Sequence, residues 1–567
     1  MEYIKNYEEW INNPYFDDET RQELINIKGD TKEIEDRFYK NLEFGTGGLR
    51  GVIGAGTNRI NDYTVRRATF GLANYILKKC GEDGKQKGVV IAYDSRHKSA
   101  EFCLETAKTL AACGIKAYIF DSLRPTPELS FAVRHLGCIA GVVITASHNP
   151  PEYNGYKVYW TDGGQVCPVI ASEIINEVNE VKEYSTIPTI SKNEAIEKGL
   201  LEIIGNEVDH AFIEAVKTQV LRQDIIDKVG NDIKIFFTPI HGTGNIPIRT
   251  VLKEVGFKNI EVIKEQELPD PNFSTVKYPN PEEKEVFNIA IEKAKKEGAD
   301  IIIGTDPDCD RVGVVVKNTE GEYIVLNGNQ VGSLLVNYVL ENLKNENKLP
   351  QNPTIVKTIV TSELGAVIAK SFGVESIDTL TGFKFIGEKI HEFENSNEKT
   401  FIMGYEESYG YLVGTHARDK DGVVASLLIS EMAAFYYEKD MSLYEGLMDI
   451  YSRYGYFREE LKSITLKGID GMEKIKSIMN YFRNSNIESI GGLKVNEIKD
   501  YSKGIDGLPK SDVLKFILED NSWLAIRPSG TEPKIKFYFG CNGKDKNTVD
   551  YKIDCIINEI IGLTESI

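Results

Sequence analysis

Ile139-Ala140-Gly141-Val142-Val143-Ile144-Thr145-Ala146-Ser147-His148-Asn149-Pro150 is a short apolar run that ends in small polar residues. An uninterrupted apolar run of this length predicts a buried strand, and the polar tail predicts a loop at its carboxyl end. Open α/β sheets carry their chemistry on such loops. The stretch therefore presents the Ser147 hydroxyl from a rigid element, beside an imidazole and an amide. Taken alone, Ser-His-Asn-Pro is more often a polar turn that stops at the proline, so its meaning depends on what else the chain supplies.

Working outward, strand-like runs alternate with amphipathic stretches. Val89-Val90-Ile91-Ala92-Tyr93-Asp94 precedes a helical pattern from Ser99 to Cys113, and Ala117-Tyr118-Ile119-Phe120-Asp121 follows. Later runs are Ile233-Lys234-Ile235-Phe236-Phe237, Asp300-Ile301-Ile302-Ile303-Gly304 and Ile355-Val356-Lys357-Thr358-Ile359-Val360. This alternation predicts α/β domains with parallel or mixed sheets. Several runs end in a polar loop: Asp94-Ser95-Arg96, Thr145 to Asn149, His241-Gly242-Thr243-Gly244 and Thr305 to Arg311. Their recurrence suggests duplicated units, although no residue-level repeat is visible. At 567 residues the chain exceeds what one core can organise, so about three or four domains are expected.

An apolar content of 41% and a charged content of 27% are those of an ordinary soluble globular protein. The net charge of −19 argues against a nucleic-acid surface, which needs clustered Lys and Arg to replace counterions. A local basic pocket can still bind small anions against that global charge. None of the eight cysteines forms a C-x-x-C pair, and Cys103 and Cys113 fall in apolar patterns, which predicts a reducing compartment. The amino terminus has no apolar signal region and no run is long enough to span a bilayer. A cytoplasmic protein with no membrane partner is expected.

Asp306-Pro307-Asp308-Cys309-Asp310-Arg311 sets three carboxylates at alternate positions after a strand-like run. Hard oxygen ligands at that spacing suit Mg²⁺ or Ca²⁺. An EF-hand is excluded, because its sixth and twelfth loop positions would be Arg311 and Lys317 rather than Gly and Glu. Arg527-Pro528-Ser529-Gly530-Thr531-Glu532-Pro533-Lys534 offers a guanidinium, two hydroxyls, a glycine amide and an ammonium, the donors that a phosphate wants. No Gly-Lys-Ser/Thr follows a glycine run, so a P-loop kinase is disfavoured. Gly404-Tyr405-Glu406-Glu407-Ser408-Tyr409-Gly410 brackets two carboxylates and a hydroxyl with glycines and can accept from vicinal sugar hydroxyls, although a Glu-Glu pair is as often a solvated face. Gly45 to Gly51 lacks the third glycine of a dinucleotide fingerprint but sets Arg50 beside a flexible loop. His148, His241 and His416 fall in loops, whereas His135 and His391 fall in helical patterns.

In this order the pieces resemble the α-D-phosphohexomutase family over almost the whole chain. Thr145 to Pro150 is similar to that family's phosphoserine loop, Asp306 to Arg311 to its magnesium loop, Gly404 to Gly410 to its sugar loop, and Arg527 to Lys534 to its phosphate loop. Further matches are Tyr153-Asn154-Gly155-Tyr156-Lys157, Thr381-Gly382-Phe383-Lys384 and Arg418-Asp419-Lys420-Asp421-Gly422.

The resemblance implies an α/β protein of four domains around a central cleft. Three would be related α/β domains with mixed sheets, and the fourth a smaller α+β domain. The expected divisions are 1–208, 209–322, 323–450 and 451–567. Ser147 would carry the phosphoryl group, with His148 positioning it and Lys157 a candidate acid/base whose ammonium would need a lowered pKa. Asp306, Asp308 and Asp310 would hold Mg²⁺ with the serine phosphate. Arg50, Lys157 and Arg311 would surround the transferring phosphate. Glu406 and Ser408 would read sugar hydroxyls, and Arg527, Ser529, Gly530, Thr531 and Lys534 would hold the other phosphate. Thr381, Gly382, Lys384, Arg418 and Lys420 complete the substrate-binding set that the resemblance implies.

The implied reaction interconverts α-D-glucose 1-phosphate and glucose 6-phosphate through a sugar 1,6-bisphosphate, which also primes the enzyme. The protein is expected to be a monomer or weak homodimer. Tyr405 and Tyr409 depart from the glucose-type sugar loop, which keeps mannose and pentose phosphates open as substrates. A serine phosphohydrolase would need neither the sugar loop nor the distant phosphate cradle. A non-catalytic sugar-phosphate sensor predicts loss of the serine or an aspartate, and none is lost.

Overall fold

The computed structural model describes residues 2–45, 47–466, 468–529 and 534–567. Three short helices, Glu2–Asn12, Asp18–Asn26 and Thr31–Phe38, open the chain. Asp17 and Asp30 cap the second and third by accepting from the Thr20 and Glu33 N–H groups at 2.7 and 3.1 Å. First-turn donors have no partner inside a helix, so these carboxylates supply one. The helices meet around Trp10, which stacks on Phe16 with ring centroids 4.1 Å apart and stands edge-on to Phe38 and Tyr63. The sequence pattern alone does not single out this cap.

Behind it lies a six-stranded mixed sheet in the order Gly48–Val52, Tyr153–Trp160, Ala140–Ile144, Val89–Tyr93, Ala117–Phe120 and Leu201–Ile204. The five-stranded second sheet is ordered Tyr323–Leu326, Val312–Lys317, Ile301–Thr305, Ile235–Thr238, Ile260–Val262. The four-stranded third is ordered Glu375–Thr379, Pro353–Thr358, Thr400–Glu406, Gly410–Val413. Helices cover these sheets, and inner strands such as Val89–Tyr93, Ala140–Ile144 and Ile301–Thr305 are apolar and buried, as strands covered on both faces must be.

One device recurs in all three. Ala140–Ile144 runs parallel to Val89–Tyr93 on one side and antiparallel to Tyr153–Trp160 on the other. Ile301–Thr305 lies in the same way between Ile235–Thr238 and Val312–Lys317. Thr400–Glu406 does so between Pro353–Thr358 and Gly410–Val413. The hairpin from each such strand to its antiparallel neighbour carries, in turn, Ser147, the three aspartates and the Glu407-Ser408-Tyr409 turn.

The last sheet is antiparallel throughout, in the order Tyr456–Thr465, Lys534–Gly543, Trp523–Pro528, Leu514–Leu518, Leu493–Asp500, Ser489–Ile490. Helices Gly468–Asn484 and Lys546–Ser566 accompany it, which makes this region α+β. Tyr323–Leu326 pairs with Val312–Lys317 of the second sheet, and helix Leu443–Tyr454 leads into the last sheet.

Candidate active site

Ser147 is 3% exposed and takes a positive φ of 53° just beyond its strand. Non-glycine residues reach that region only when their surroundings hold them there. Here the holding is explicit. The Ser147 N–H donates to Thr145 Oγ1 at 2.8 Å, and Thr145 Oγ1 donates to Asp94 Oδ2 at 2.6 Å. The buried Arg96 guanidinium donates to the carbonyls of Ser147, Asn149, Pro150 and Tyr153, and its plane lies 5.0 Å from the Phe273 ring centre. Gly155 lets the neighbouring strand pass close, since a Cβ there would sit 2.4 Å from the Thr145 carbonyl oxygen.

The Ser147 hydroxyl donates to Asp306 Oδ2 at 2.9 Å and lies 3.1 Å from His148 Nδ1. Burial, and after it Arg311, Arg50, Arg96 and Lys157, hold the His148 imidazole well below its ordinary pKa and therefore neutral. Arg50 Nη1 donates to Asn149 Oδ1 at 3.3 Å on the same side of the loop.

Asp306, Asp308 and Asp310 are buried, and each offers an oxygen within 4.8 Å of the others. Asp306 Oδ1 accepts from the Asp310 and Arg311 N–H groups, both at 3.0 Å, which fixes the turn. Asp308 Oδ1 and Asp310 Oδ1 are buried oxygens with no hydrogen-bond partner. Leaving such oxygens unmatched is costly, and a divalent cation among three carboxylates satisfies them. The residues fit Mg²⁺.

Lys157 Nζ donates to Asp308 Oδ2 at 2.8 Å and approaches Asp310 Oδ2 at 3.5 Å. Burial alone would lower its pKa, but the two carboxylates outweigh burial and raise it. This corrects the expectation of a lowered pKa: in this arrangement Lys157 is a held cation. Lys420 Nζ reaches Asp310 Oδ2 and Asp419 Oδ1, each at 3.0 Å. Its stem passes Gly410, where a Cβ would lie 2.2 Å away. Arg311 is paired with Glu282.

On the third sheet Glu406 is 7% exposed and its Oε1 accepts from the Gly382 N–H at 2.8 Å. Burial raises its carboxyl to about 7, against the pull of Lys420. Ser408 and Thr381 are half-buried nearby, and Lys384 is buried in the first turn of helix Phe383–Ser396, where burial lowers its pKa. Glu407 Oε2 accepts from Thr361 Oγ1 at 2.9 Å and Thr358 Oγ1 at 3.2 Å. Tyr405 and Tyr409 are both buried, and the Tyr405 ring lies so close to Gly332 and Gly365 that a Cβ at either would come within 2.2 Å of it. Tyr405 thus packs against the scaffold beneath the sugar loop. Arg418 stands apart from the group: it is 1% exposed and donates to the Thr415 and Ala417 carbonyls, with Glu394 as its counter-ion.

From the fourth domain come Arg527, Ser529 and Lys534, with the Ser529 N–H donating to the Lys534 carbonyl at 2.8 Å. Gly530 and Thr531 lie outside the described residues. Sequence reasoning missed Arg96, Glu282 and Lys536. Lys536 sits directly across from Arg527 in the sheet and feels the charges of Glu282, Glu407 and Arg311, which brings this strand to the sugar loop and the aspartate loop. His241 is turned away, bonded to Leu268 O and Thr275 Oγ1.

Models of the phosphoglucomutase/phosphomannomutase family match the chain in order: alpha/beta/alpha domain I at 41–185, domain II at 210–321, domain III at 327–454 and the C-terminal domain at 483–550. A phosphoglucomutase of Staphylococcus saprophyticus is 37% identical over 544 residues, covering 94% of this chain and 96% of its own. One of Staphylococcus aureus is 37% identical, covering 93% and 94%. Among solved structures, parafusin, a phosphoglucomutase of Paramecium in its open form, matches with a TM-score of 0.70 at 17% identity, covering 93% of this chain and 95% of its own. A phosphoglucomutase/phosphomannomutase family protein of Burkholderia thailandensis matches with a TM-score of 0.65 at 18% identity, covering 92% and 97%. With four domain models in sequence and relatives alike from end to end, the chain belongs to the phosphoglucomutase/phosphomannomutase family, the α-D-phosphohexomutases.

Proposed function

We propose that the chain is a phosphoglucomutase that interconverts α-D-glucose 1-phosphate and glucose 6-phosphate through phosphorylated Ser147. The observation that carries the reading is the Ser147 hydroxyl bonded to Asp306, the nearest corner of a buried three-aspartate cluster. The staphylococcal phosphoglucomutases, matched over more than nine-tenths of the chain, support glucose as the sugar.

Phospho-Ser147 gives its phosphoryl group to the free sugar hydroxyl. The P–O bond to serine breaks, a P–O bond to the sugar forms, and the hydroxyl proton leaves as Ser147 Oγ regains one. The product, glucose 1,6-bisphosphate, turns in the cleft. Its other phosphoryl group then returns to Ser147, and the remaining monophosphate leaves. Positioning and electrostatics carry most of such a transfer. Asp306, Asp308 and Asp310 would hold Mg²⁺, which when bound neutralises charge on the moving phosphoryl group. Lys157, Arg50 and Arg311 supply cations on the transferring side, and Arg311 is released from Glu282 as the phosphate arrives. Glu406 accepts from sugar hydroxyls at one end while Lys384, Arg527, Ser529, Lys534 and Lys536 hold the stationary phosphate at the other. Neutral His148 keeps the Ser147 hydroxyl oriented rather than acting as a hydrolytic base.

Incubation with glucose 1,6-bisphosphate should place one phosphoryl group on the Ser147 peptide, read by mass spectrometry. S147A should lose the label and nearly all turnover while keeping its thermal transition. A labelled S147A, or one with full activity, overturns the assignment. Parallel assays on mannose and ribose 1-phosphates test the choice of sugar.

A further inference from the structure

Between the sugar loop and the fourth domain runs the segment 359–363, and its contacts are of an unusual kind. Ile359 and Val360 are buried with Leu380 and Phe385 against Tyr501, Val513, Trp523, Ala525 and Tyr538 of the fourth domain. That apolar contact already gives the junction its adhesion. Set into it are two buried lysines with part-exposed carboxylate partners. Lys515, 5% exposed, donates from Nζ to the Ile359 carbonyl at 2.8 Å and to Glu363 Oε1 at 3.3 Å, and stands 4.7 Å from the Trp523 ring centre. Glu363 Oε1 also accepts from the fully buried Lys357 at 3.2 Å, and Lys357 has a second partner in Asp378 at 2.9 Å. Ser362 Oγ donates to Glu459 on the first strand of the fourth domain.

Burying the two ammonium groups costs desolvation that offsets much of the attraction to their carboxylates, so such pairs add little stability over apolar residues of the same size. What they add is direction: hydrogen bonds of fixed geometry allow one docked orientation, where an apolar patch tolerates several. Both ends of this group reach the active site. Thr358 and Thr361, on the same turn, hold Glu407 of the sugar loop. Lys515 pairs across the sheet with Ala525, two residues before Arg527 of the phosphate loop. At that spacing Ala525 and Arg527 point to one face of the strand, about 7 Å apart.

We propose that Lys515 and Glu363 are positioning residues of the mutase, which fix the phosphate-binding strand of the fourth domain at a set distance from the sugar loop. The proposal rests on the mutase reading above. A stationary phosphate held at the wrong distance weakens sugar-phosphate binding and lets the bisphosphate escape while it turns.

The test compares wild type with K515M/E363Q, K515R and S362A. The double variant removes both charges together, leaves Lys357 its Asp378 partner, and avoids stranding one buried charge. It should melt near the wild-type temperature yet raise KM for glucose 1-phosphate about ten- to a hundred-fold, the scale set by small misplacements. Its kcat should change far less, and its turnover should come to depend on added glucose 1,6-bisphosphate. K515R should recover most of the KM, and S362A, lacking one hydroxyl, should move KM the same way by a smaller factor. Wild-type KM in both K515M/E363Q and S362A overturns the proposal, as does activity loss that merely follows the folded fraction. Wild-type phosphorylation of Ser147, measured alongside, separates this outcome from failure of the mutase reading itself.

Discussion

Lys536 illustrates what a single residue can and cannot reveal before the fold is known. The three aspartates are legible because their motif is contiguous and its spacing is its chemistry, and Ser147 is legible only in company with them and the other loops. Lys536 is one lysine in an alternating strand, and it gains meaning only because the sheet register sets it opposite Arg527. Like charges directly opposed in an antiparallel pair destabilise it by roughly 0.2–1 kcal/mol, and burial together with Arg527 lowers the Lys536 pKa. A phosphate between the two cations turns that repulsion into a binding site. K536Q should therefore raise the melting temperature slightly while increasing KM for sugar phosphates about ten-fold, the value of one charge-assisted hydrogen bond. A lower melting temperature with unchanged KM would show that Lys536 serves packing instead. Arg96 escaped notice for the same reason: the Asp94-Ser95-Arg96 loop is visible, but its carbonyl partners lie more than fifty residues away.

Elements follow the sequence more closely than residues do. The apolar runs near 89, 117, 139, 233, 300 and 355 all fold as strands, and the helical pattern from Ser99 becomes helix Ser99–Ala112. The suspicion of duplication also has a physical form, since each hairpin holds one non-glycine residue at positive φ: Ser147 at 53°, Cys309 at 54° and Tyr409 at 66°. No residue-level repeat encodes this, because backbone geometry is kept while side chains differ. Helix Gly422–Tyr437, buried along nearly its whole length, shows another limit. Its single charge, Glu431, accepts from the Leu221 and Arg222 N–H groups and from Tyr338, tying the second unit to the third. Burial raises its carboxyl to about 7. The folded state thus binds this proton more tightly than the unfolded chain, where Glu titrates near ~4.3. The resulting stability is fully present below that lower value and is lost as pH rises through about 7. E431Q keeps an acceptor and removes the titration. Calorimetry should find it level with wild type at about pH 4 and more stable by on the order of 3 kcal/mol at about pH 8. A gap that does not widen with pH would place the Glu431 carboxyl in its ordinary range.

At the scale of the whole molecule, charge sets up a contest that composition cannot decide. The chain carries −19 overall, a field that repels an anionic sugar phosphate. The cleft opposes it with Arg50, Lys157, Arg311, Lys384, Lys420, Arg527 and Lys536, while the cation that Asp306, Asp308 and Asp310 would hold offsets their own charge. The two fields differ in range. Charges farther than about 8 Å from the ligand are largely screened at physiological ionic strength, whereas the cleft cations act at contact. Salt added from about 10 to 150 mM, with Mg²⁺ held constant, weakens both, and the sign of the response tells which one governs capture. Attraction by the cleft predicts a KM for glucose 1-phosphate that rises several-fold with salt while kcat holds, because the phosphoryl transfer occurs inside a closed set of contacts. Repulsion by the acidic surface predicts a KM that falls. The cleft should win, since its cations converge on one small volume while the carboxylates in excess are spread over the exterior. A KM that falls with salt would show that substrate capture is limited by the surface of the protein and not by its active site.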